Sequence, residues 1–156
     1  MELGIVDSEK LAGRTLQIGD CHQVVLPMRW GDADALNHMN NTVYFRLFEE
    51  ARMRFLQGSG LQVPAEQGFV LAHASCDFLR SFTYPCEVVV THKITRVGRS
   101  SLDTELLLEK AGDASGLYAK GRTVMVWIDY PSNASMPIPD GALAALASQF
   151  APPRAV

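Results

Sequence analysis

Disulfide chemistry is the first thing this sequence has little of. Its 156 residues include three cysteines, Cys21, Cys76 and Cys86. The number is odd and no Cys-x-x-Cys occurs, which argues against a disulfide framework and a zinc site. Buried or half-buried free thiols in a reducing compartment are the expectation. His22, His73 and His92 do not stand at metal-ligand spacing with Cys or carboxylates, so neither a metal nor a cofactor is expected. Positive charge is also short. A net charge of −3 gives no general attraction to nucleic acid or an anionic membrane, so any anion site must be local. No apolar run approaches the ~18 residues of a membrane span. The stretch from Met1 to Lys10 lacks the basic start and apolar core of a leader. A cytoplasmic protein is therefore expected. Internal repeats and low-complexity tracts are missing too.

What is present is an ordinary globular composition, 47% hydrophobic and 20% charged, at a length that suits one domain. Residues 1–20 are weakly patterned and read as an N-terminal extension, with a short strand at Thr15–Ile18. Residues 21–156 read as a single domain. Cys21–Trp30 reads as a first strand, with Pro27 marking an edge or a bulge. From Thr42 to Gln57 the spacing predicts a helix with Tyr44, Leu47, Phe48, Ala51 and Phe55 on one face. Val43, Phe45, Met53 and Leu56 widen that face and predict deep burial. Arg46, Glu50 and Arg54 form a charged stripe. Asn40 or Asn41 can cap the start, and Gly58-Ser59-Gly60 ends the helix. Pro64 suggests one further helical turn. Strands are then expected over Phe69–Leu79, Cys86–Val97, Ser101–Glu109 and Leu117–Tyr130. Val88, Val90, His92 and Ile94 share one side, as do Leu102, Thr104, Leu106 and Leu108. Asp140 can cap a last short helix. Strands joined by short turns imply an antiparallel sheet, and one long apolar helix packed on it gives an α+β layer.

The stretch between the first strand and the helix carries the chemistry. Gly31 to Asn41 holds Asp32, Asp34, His38 and three Asn within eleven residues. The segment from Arg29 to Tyr44, with Phe48-Glu49-Glu50-Ala51-Arg52 after it, resembles the signature of hotdog-fold acyl-CoA thioesterases of the 4-hydroxybenzoyl-CoA thioesterase type. That family shows Asp-x-Asp-x-x-Gly-His-x-Asn-Asn-x-x-Tyr ahead of a Phe-Glu-x-Ala-Arg helix. The order of elements from about Cys21 to Tyr130 is also similar. Asn37 stands where the family usually has Gly, and Asn tolerates the left-handed backbone such a turn needs.

The resemblance implies a hotdog fold, an antiparallel sheet of about five strands around one long helix. It implies thioester hydrolysis of an acyl-CoA to free acid and CoA, with an acyl-carrier-protein thioester as the other candidate substrate. Asp34 aligns with the family's catalytic carboxylate, which attacks the thioester or deprotonates a water. The backbone N–H of Asn41 is the implied oxyanion donor, at the positive end of a helix. Asp32 reads as structural. His38 could orient Asp34, bind substrate or hold the loop. Asn40 is a cap, Tyr44 a core residue, and Glu49 a partner for a basic side chain. The phosphates of CoA call for a locally basic site, and Arg80, Arg96 and Arg99, with Lys120, lie at strand ends or turns as candidates to bind them. The turn containing Arg99, Ser100 and Ser101 resembles the family's phosphate-contacting segment. A homodimer or homotetramer is implied as well. Two alternatives stay open: a hotdog hydratase or dehydratase, which a helix without His disfavours, and a non-catalytic acyl-CoA binding protein.

Overall fold

The computed structural model describes residues 13–61 and 65–153. The Pro64 turn expected from the sequence lies outside them. The elements are β1 (Cys21–Pro27), α1 (Asn41–Gly58), β2 (Gln67–Phe78), β3 (Glu87–Val97), β4 (Ser101–Lys110), β5 (Ala119–Asp129), a two-residue β6 (Ala134–Ser135) and α2 (Asp140–Ala147). The strands form one antiparallel sheet in the order β1-β3-β4-β5-β2, with β6 paired to β5. The order follows from the chain. β3, β4 and β5 have short connections and form a meander, whereas α1 separates β1 from β2 and crosses the sheet from one edge to the other. This is the α+β hotdog architecture.

The two-residue alternation orients the sheet. Val88, Val90, His92 and Ile94 of β3 point inward, as do Leu102, Thr104, Leu106 and Leu108 of β4, and all are buried. They pack against Tyr44, Leu47, Phe48, Ala51, Phe55 and Leu56 of α1. Gly121 lets the helix approach β5, since a Cβ there would stand 2.7 Å from the Phe48 ring. Pro27 closes an edge strand, where a missing N–H costs no ladder bond.

Three details differ from the sequence reading. Thr15–Ile18 is not a strand; the segment ends in a turn at Ile18-Gly19, with Gly19 at φ 93°. Asp140 is the first residue of α2, and Pro139 occupies the cap position without a side-chain bond. The helix α1 is buried on one face only. Val43 and Met53 are half-buried and Phe45 is 38% exposed, because one chain's sheet covers a single side.

The segment before β1 is nevertheless held firmly. Asp20 is buried and accepts bonds from the Arg14 guanidinium (2.8 Å) and the Gln17 N–H (2.9 Å). Arg14 also donates to the Phe150 carbonyl at 2.7 Å, tying this segment to the end of α2. No helix among the described residues is long and apolar enough to cross a membrane.

Candidate active site

The stretch between β1 and α1 is a small hairpin standing on the end of the sheet. Met28 anchors its start, donating its N–H to the Cys86 carbonyl at 2.9 Å. A single 3₁₀ turn follows over Trp30–Asp32. The Asp32 carboxylate is buried and closes that turn, accepting from the Arg29 N–H at 2.7 Å and from the Arg29 guanidinium at 3.2 Å. Both of its oxygens are thus committed to the loop.

The two arms then pair. Asn40 N–H reaches the Asp32 carbonyl at 2.9 Å, Ala33 bridges to Met39, and Asp34 N–H reaches the His38 carbonyl at 2.8 Å. Asn37 closes the tip in the left-handed region at φ 59°, donating to the Asp34 carbonyl at 3.0 Å. Asp34 is exposed. Its Oδ1 accepts from the N–H groups of Leu36 (2.8 Å) and His38 (3.2 Å), which fixes the carboxylate, while Oδ2 has no partner among the described residues. Two Asp residues that look alike in the sequence are therefore unlike in space: one is spent on folding, and the other is held with an oxygen to spare.

The helix start completes the arrangement. The Asn40 side chain caps α1, accepting from the Thr42 N–H at 2.9 Å and the Thr42 hydroxyl at 2.7 Å. Val43 N–H bonds back to the Asn40 carbonyl at 2.9 Å. The Asn41 N–H is left without an acceptor among the described residues, at the positive end of an 18-residue helix. The carboxylate and this donor hang on the two arms of one hairpin. The Asn41 side chain makes no hydrogen bond there.

The remaining residues singled out in the sequence fall into three groups. His38 holds the loop through its backbone, and its imidazole makes no hydrogen bond among the described residues. Tyr44 is buried, its ring edge-on to Phe78 at 4.8 Å, and burial pushes its hydroxyl pKa up, as suits a core residue. Glu49 lies 3.6 Å from Arg46.

The cationic residues are spread. Arg80 is at the same end of the sheet as Asp34, but its donors are taken by the Leu117 and Gly116 carbonyls and the Ser115 hydroxyl, and its guanidinium stacks over Tyr118 at 4.1 Å. Lys120 pairs with Glu105 at 2.9 Å, which pushes its pKa up, and Arg96 faces Asp103 at 3.9 Å. Arg99 is exposed, and Ser100 and Ser101 sit in the β3–β4 turn, closed by Gly98 N–H to the Ser101 carbonyl at 2.8 Å. That turn is at the far end. Pro27, where β1 leaves for the hairpin, pairs with Glu87 at the start of β3, and the turn follows Val97. Ten strand steps separate the ends, about 33 Å. One chain does not bring Arg96, Arg99, Ser100 and Ser101 to Asp34.

Closer to the hairpin, the sequence reading missed a groove of about 380 Å³ between β1 and α1, lined by Pro27, Arg29, Asp32, Arg46, Met53 and Arg54 among others. The charged stripe on α1 was the available signal. Of that stripe, Arg54 pairs with Glu50 at 2.8 Å, whereas Arg46 turns to Glu49. Among the described residues no group of three His, Cys, Asp or Glu is placed to hold a metal ion.

Comparison with known proteins adds to this geometry. The profile of the family described as "Thioesterase-like superfamily" matches residues 28–146. The solved structure of the PA2801 protein of Pseudomonas aeruginosa, assigned as a thioesterase only provisionally, superposes with a TM-score of 0.76 at 36% identity, covering 80% of this chain and 97% of that one. A 1,4-dihydroxy-2-naphthoyl-CoA thioesterase of Synechocystis, Slr0204, gives a TM-score of 0.73 at 19% identity over 81% of this chain and 95% of that one, which bears on the fold alone. The uncharacterized protein YsmA of Bacillus subtilis (strain 168) is 32% identical over 83 residues; the match spans 53% of this chain and little more than half, 56%, of that relative.

Proposed function

The chain belongs to the thioesterase-like superfamily, and from that premise we propose that it hydrolyses acyl-CoA thioesters to free acid and CoA. Thioester hydrolysis in general is supported by the family and by a thioesterase-assigned structural relative at 36% identity. The observation that carries the finer reading is the pairing of two unspent groups on one hairpin, Asp34 Oδ2 and the Asn41 N–H.

In this reading the thioester carbonyl oxygen accepts from the Asn41 N–H. The donor is fixed before the reaction and strengthens as negative charge develops on that oxygen, which is the condition for transition-state stabilisation. Asp34 then acts in one of two ways. Its carboxylate attacks the carbonyl carbon, expels CoA thiolate and leaves a mixed anhydride that water cleaves, or it takes a proton from a water that attacks the same carbon. The bonds from Leu36 and His38 hold the carboxylate for either route. Asp32, His38 and Asn40 support the hairpin without touching the reacting atoms.

CoA needs basic contacts for its phosphates. Arg29 and Arg46 line the groove beside the hairpin, whereas Arg99, Ser100 and Ser101 could reach the same site only from a second copy. A second copy has an edge to use: β2 is a 12-residue outer strand with Leu71 and Phe78 45% and 44% exposed. A homodimer, or a homotetramer built from it, in the cytoplasm follows from this reading.

The test is thiol release from short, long and aromatic acyl-CoAs and from an acyl-carrier-protein thioester. Release that disappears in Asp34→Ala with the fold intact is expected. Full activity in that variant would remove Asp34 from the mechanism, and tight CoA-ester binding without turnover would favour a non-catalytic binding protein.

A further inference from the structure

The connection between β2 and β3, residues 79–86, holds both arms of the hairpin. The Cys86 carbonyl takes the Met28 N–H, and the Phe82 carbonyl takes the Met39 N–H, each at 2.9 Å. Met39 follows His38, whose N–H and carbonyl both bond Asp34. The Phe82 ring is fully buried, and its centroid lies 5.9 Å from that of Tyr44, in the first turn of α1. Phe82 therefore supports both halves of the candidate site: the arm that carries the carboxylate and the helix start that carries the Asn41 N–H.

Phe82 is in turn fixed by the connection between β4 and β5. Its ring stacks on that of Tyr118, with centroids 4.6 Å apart and planes 18° from parallel. The Arg80 guanidinium lies over the same Tyr118 ring at 4.1 Å. Tyr118 is pinned at both ends. Its N–H reaches the Leu108 carbonyl at 2.8 Å, its carbonyl accepts from the Leu79 and Arg80 N–H groups at 3.0 and 2.9 Å, and its hydroxyl donates to Asp113 at 2.7 Å. Hydrogen bonds from Ser115, then Tyr118, hold the Asp113 carboxyl well below the usual carboxylate range, so this acceptor stays charged at neutral pH. Arg80 locks the connection. Its Nε, Nη1 and Nη2 donate to the Leu117 carbonyl, the Ser115 hydroxyl and the Gly116 carbonyl at 3.2, 2.9 and 2.8 Å. A phosphate ligand needs free donors, and each of these nitrogens is already engaged within the chain. A planar fork that bonds at its edge and stacks on its face is what Arg supplies and Lys does not.

We propose that Arg80 is a positioning residue for the reaction and not a phosphate ligand: by bracing Tyr118, and through it Phe82, it sets where the hairpin holds Asp34 against the Asn41 N–H. The inference rests on the thioesterase reading and adds residues that act through the catalytic pair without touching substrate.

The experiment measures kcat/KM of the full chain for the acyl-CoA it cleaves fastest and for the N-acetylcysteamine thioester of the same acid, which has no phosphates. Arg80→Met should lower it about 10-fold on both thioesters alike, the order of loss for a reacting group displaced by a fraction of an ångström. On the acyl-CoA the loss should fall on kcat, with KM unchanged. Hydrogen exchange at the Met39 N–H should quicken while that at Leu106, in the central strand β4, does not. Arg80→Lys, which keeps the charge but not the fork, should lose nearly as much. Adding Tyr118→Leu to Arg80→Met should cost little more, because the two side chains act as one unit. The inference is overturned if Arg80→Met impairs the acyl-CoA alone, through KM, with Arg80→Lys near wild type, which would make Arg80 a phosphate ligand. It is also overturned if neither thioester slows, or if exchange quickens equally at Met39 and Leu106, which would be general loosening. Should Arg80→Met not fold, Arg80→Lys decides by the same comparison of the two thioesters. A protein that cleaves no thioester at all loses the thioesterase reading too, whereas one whose cleavage ignores Arg80 loses this inference alone.

Discussion

The hairpin end of the sheet and the opposite end both hold polar groups with unused bonding capacity, but in opposite surroundings. At the hairpin, the spare groups are one Asp34 oxygen and the Asn41 N–H, open to solvent. From the middle of the sheet toward that opposite end they are inside. His92 is buried with neither ring nitrogen bonded, His22 has an unbonded Nδ1, and both rings pack edge-on against Phe55, at 5.2 and 5.4 Å. Water satisfies a spare group at the surface until a substrate replaces it, so holding it ready costs little. A spare group in the core stays unsatisfied and makes the fold sensitive to protonation. Unused capacity reads as chemistry at one end and as a liability at the other.

The comparison breaks most sharply at Asp34. Asp34→Asn keeps the two bonds to Leu36 and His38 but removes the charge, so kcat for thioester cleavage should fall about 10³-fold or more, with the melting temperature nearly unchanged. Asp20→Ala at the far end should do the reverse. It strips a buried carboxylate from Arg14 and should cost about 3–5 kcal/mol by denaturant titration. A smaller cost, about 1 kcal/mol or less, would mean that Arg14 finds water easily and that the far end is looser than its bonds suggest.

Acid should also act on the far end first. Burial, then the nearby His22 and Arg52 charges, push the His92 pKa down to about 3, and burial lowers that of His22. In the unfolded chain both titrate near 6.5. The unfolded state therefore binds more protons below pH 6.5, and stability is complete above that value. It declines as pH falls toward 3, by a few kcal/mol for His92. His92→Phe keeps a ring of similar shape and should flatten this part of the curve while leaving stability at pH 7 equal or higher. A pH dependence unchanged in His92→Phe would place the acid sensitivity elsewhere.

Much of this was legible in the sequence where it depends on period. The alternation in β3 and β4 and the 3.6-residue spacing in α1 point the right side chains inward, because the two repeats differ and each was long enough to read. The bonding of Asp32 was legible too, since it sits where a turn needs an acceptor and takes the Arg29 N–H. What was not legible depends on residues distant in the chain. Arg80 stands beside a turn as a candidate phosphate contact, but residues 113–118 consume its donors. Thr15–Ile18 has strand-like composition, but Arg14 and Asp20 pin a turn there by reaching the end of α2. Arg99 and its serines resemble a phosphate site, yet strand direction sends them away from Asp34. The breadth of the apolar face of α1 predicts burial, whereas one chain leaves that width as two grooves.

A subtler contrast is the cap. Asn40→Ala would leave the Thr42 N–H unpaired and should cost about 1 kcal/mol of stability. Activity should fall further than that loss explains, because the cap also holds the turn that presents the Asn41 N–H. A kcat that drops by several-fold with KM nearly constant separates this from simple loosening, which would change both.

The smallest expected effect compares the left-handed residues of the two ends. Asn37 at φ 59° lies where Asn is tolerated, so Asn37→Gly should shift stability by only about 0.5 kcal/mol and leave thiol release intact. Gly19 at φ 93° is a different case. A Cβ there is strained by the backbone itself and would stand 3.3 Å from the Pro153 ring, so Gly19→Ala should cost about 1 kcal/mol or more. If Asn37→Gly instead lowers kcat while stability holds, the Asn37 side chain itself serves the site. The turn at the hairpin tip would then carry chemistry as well as shape, and its counterpart at the far end shape alone.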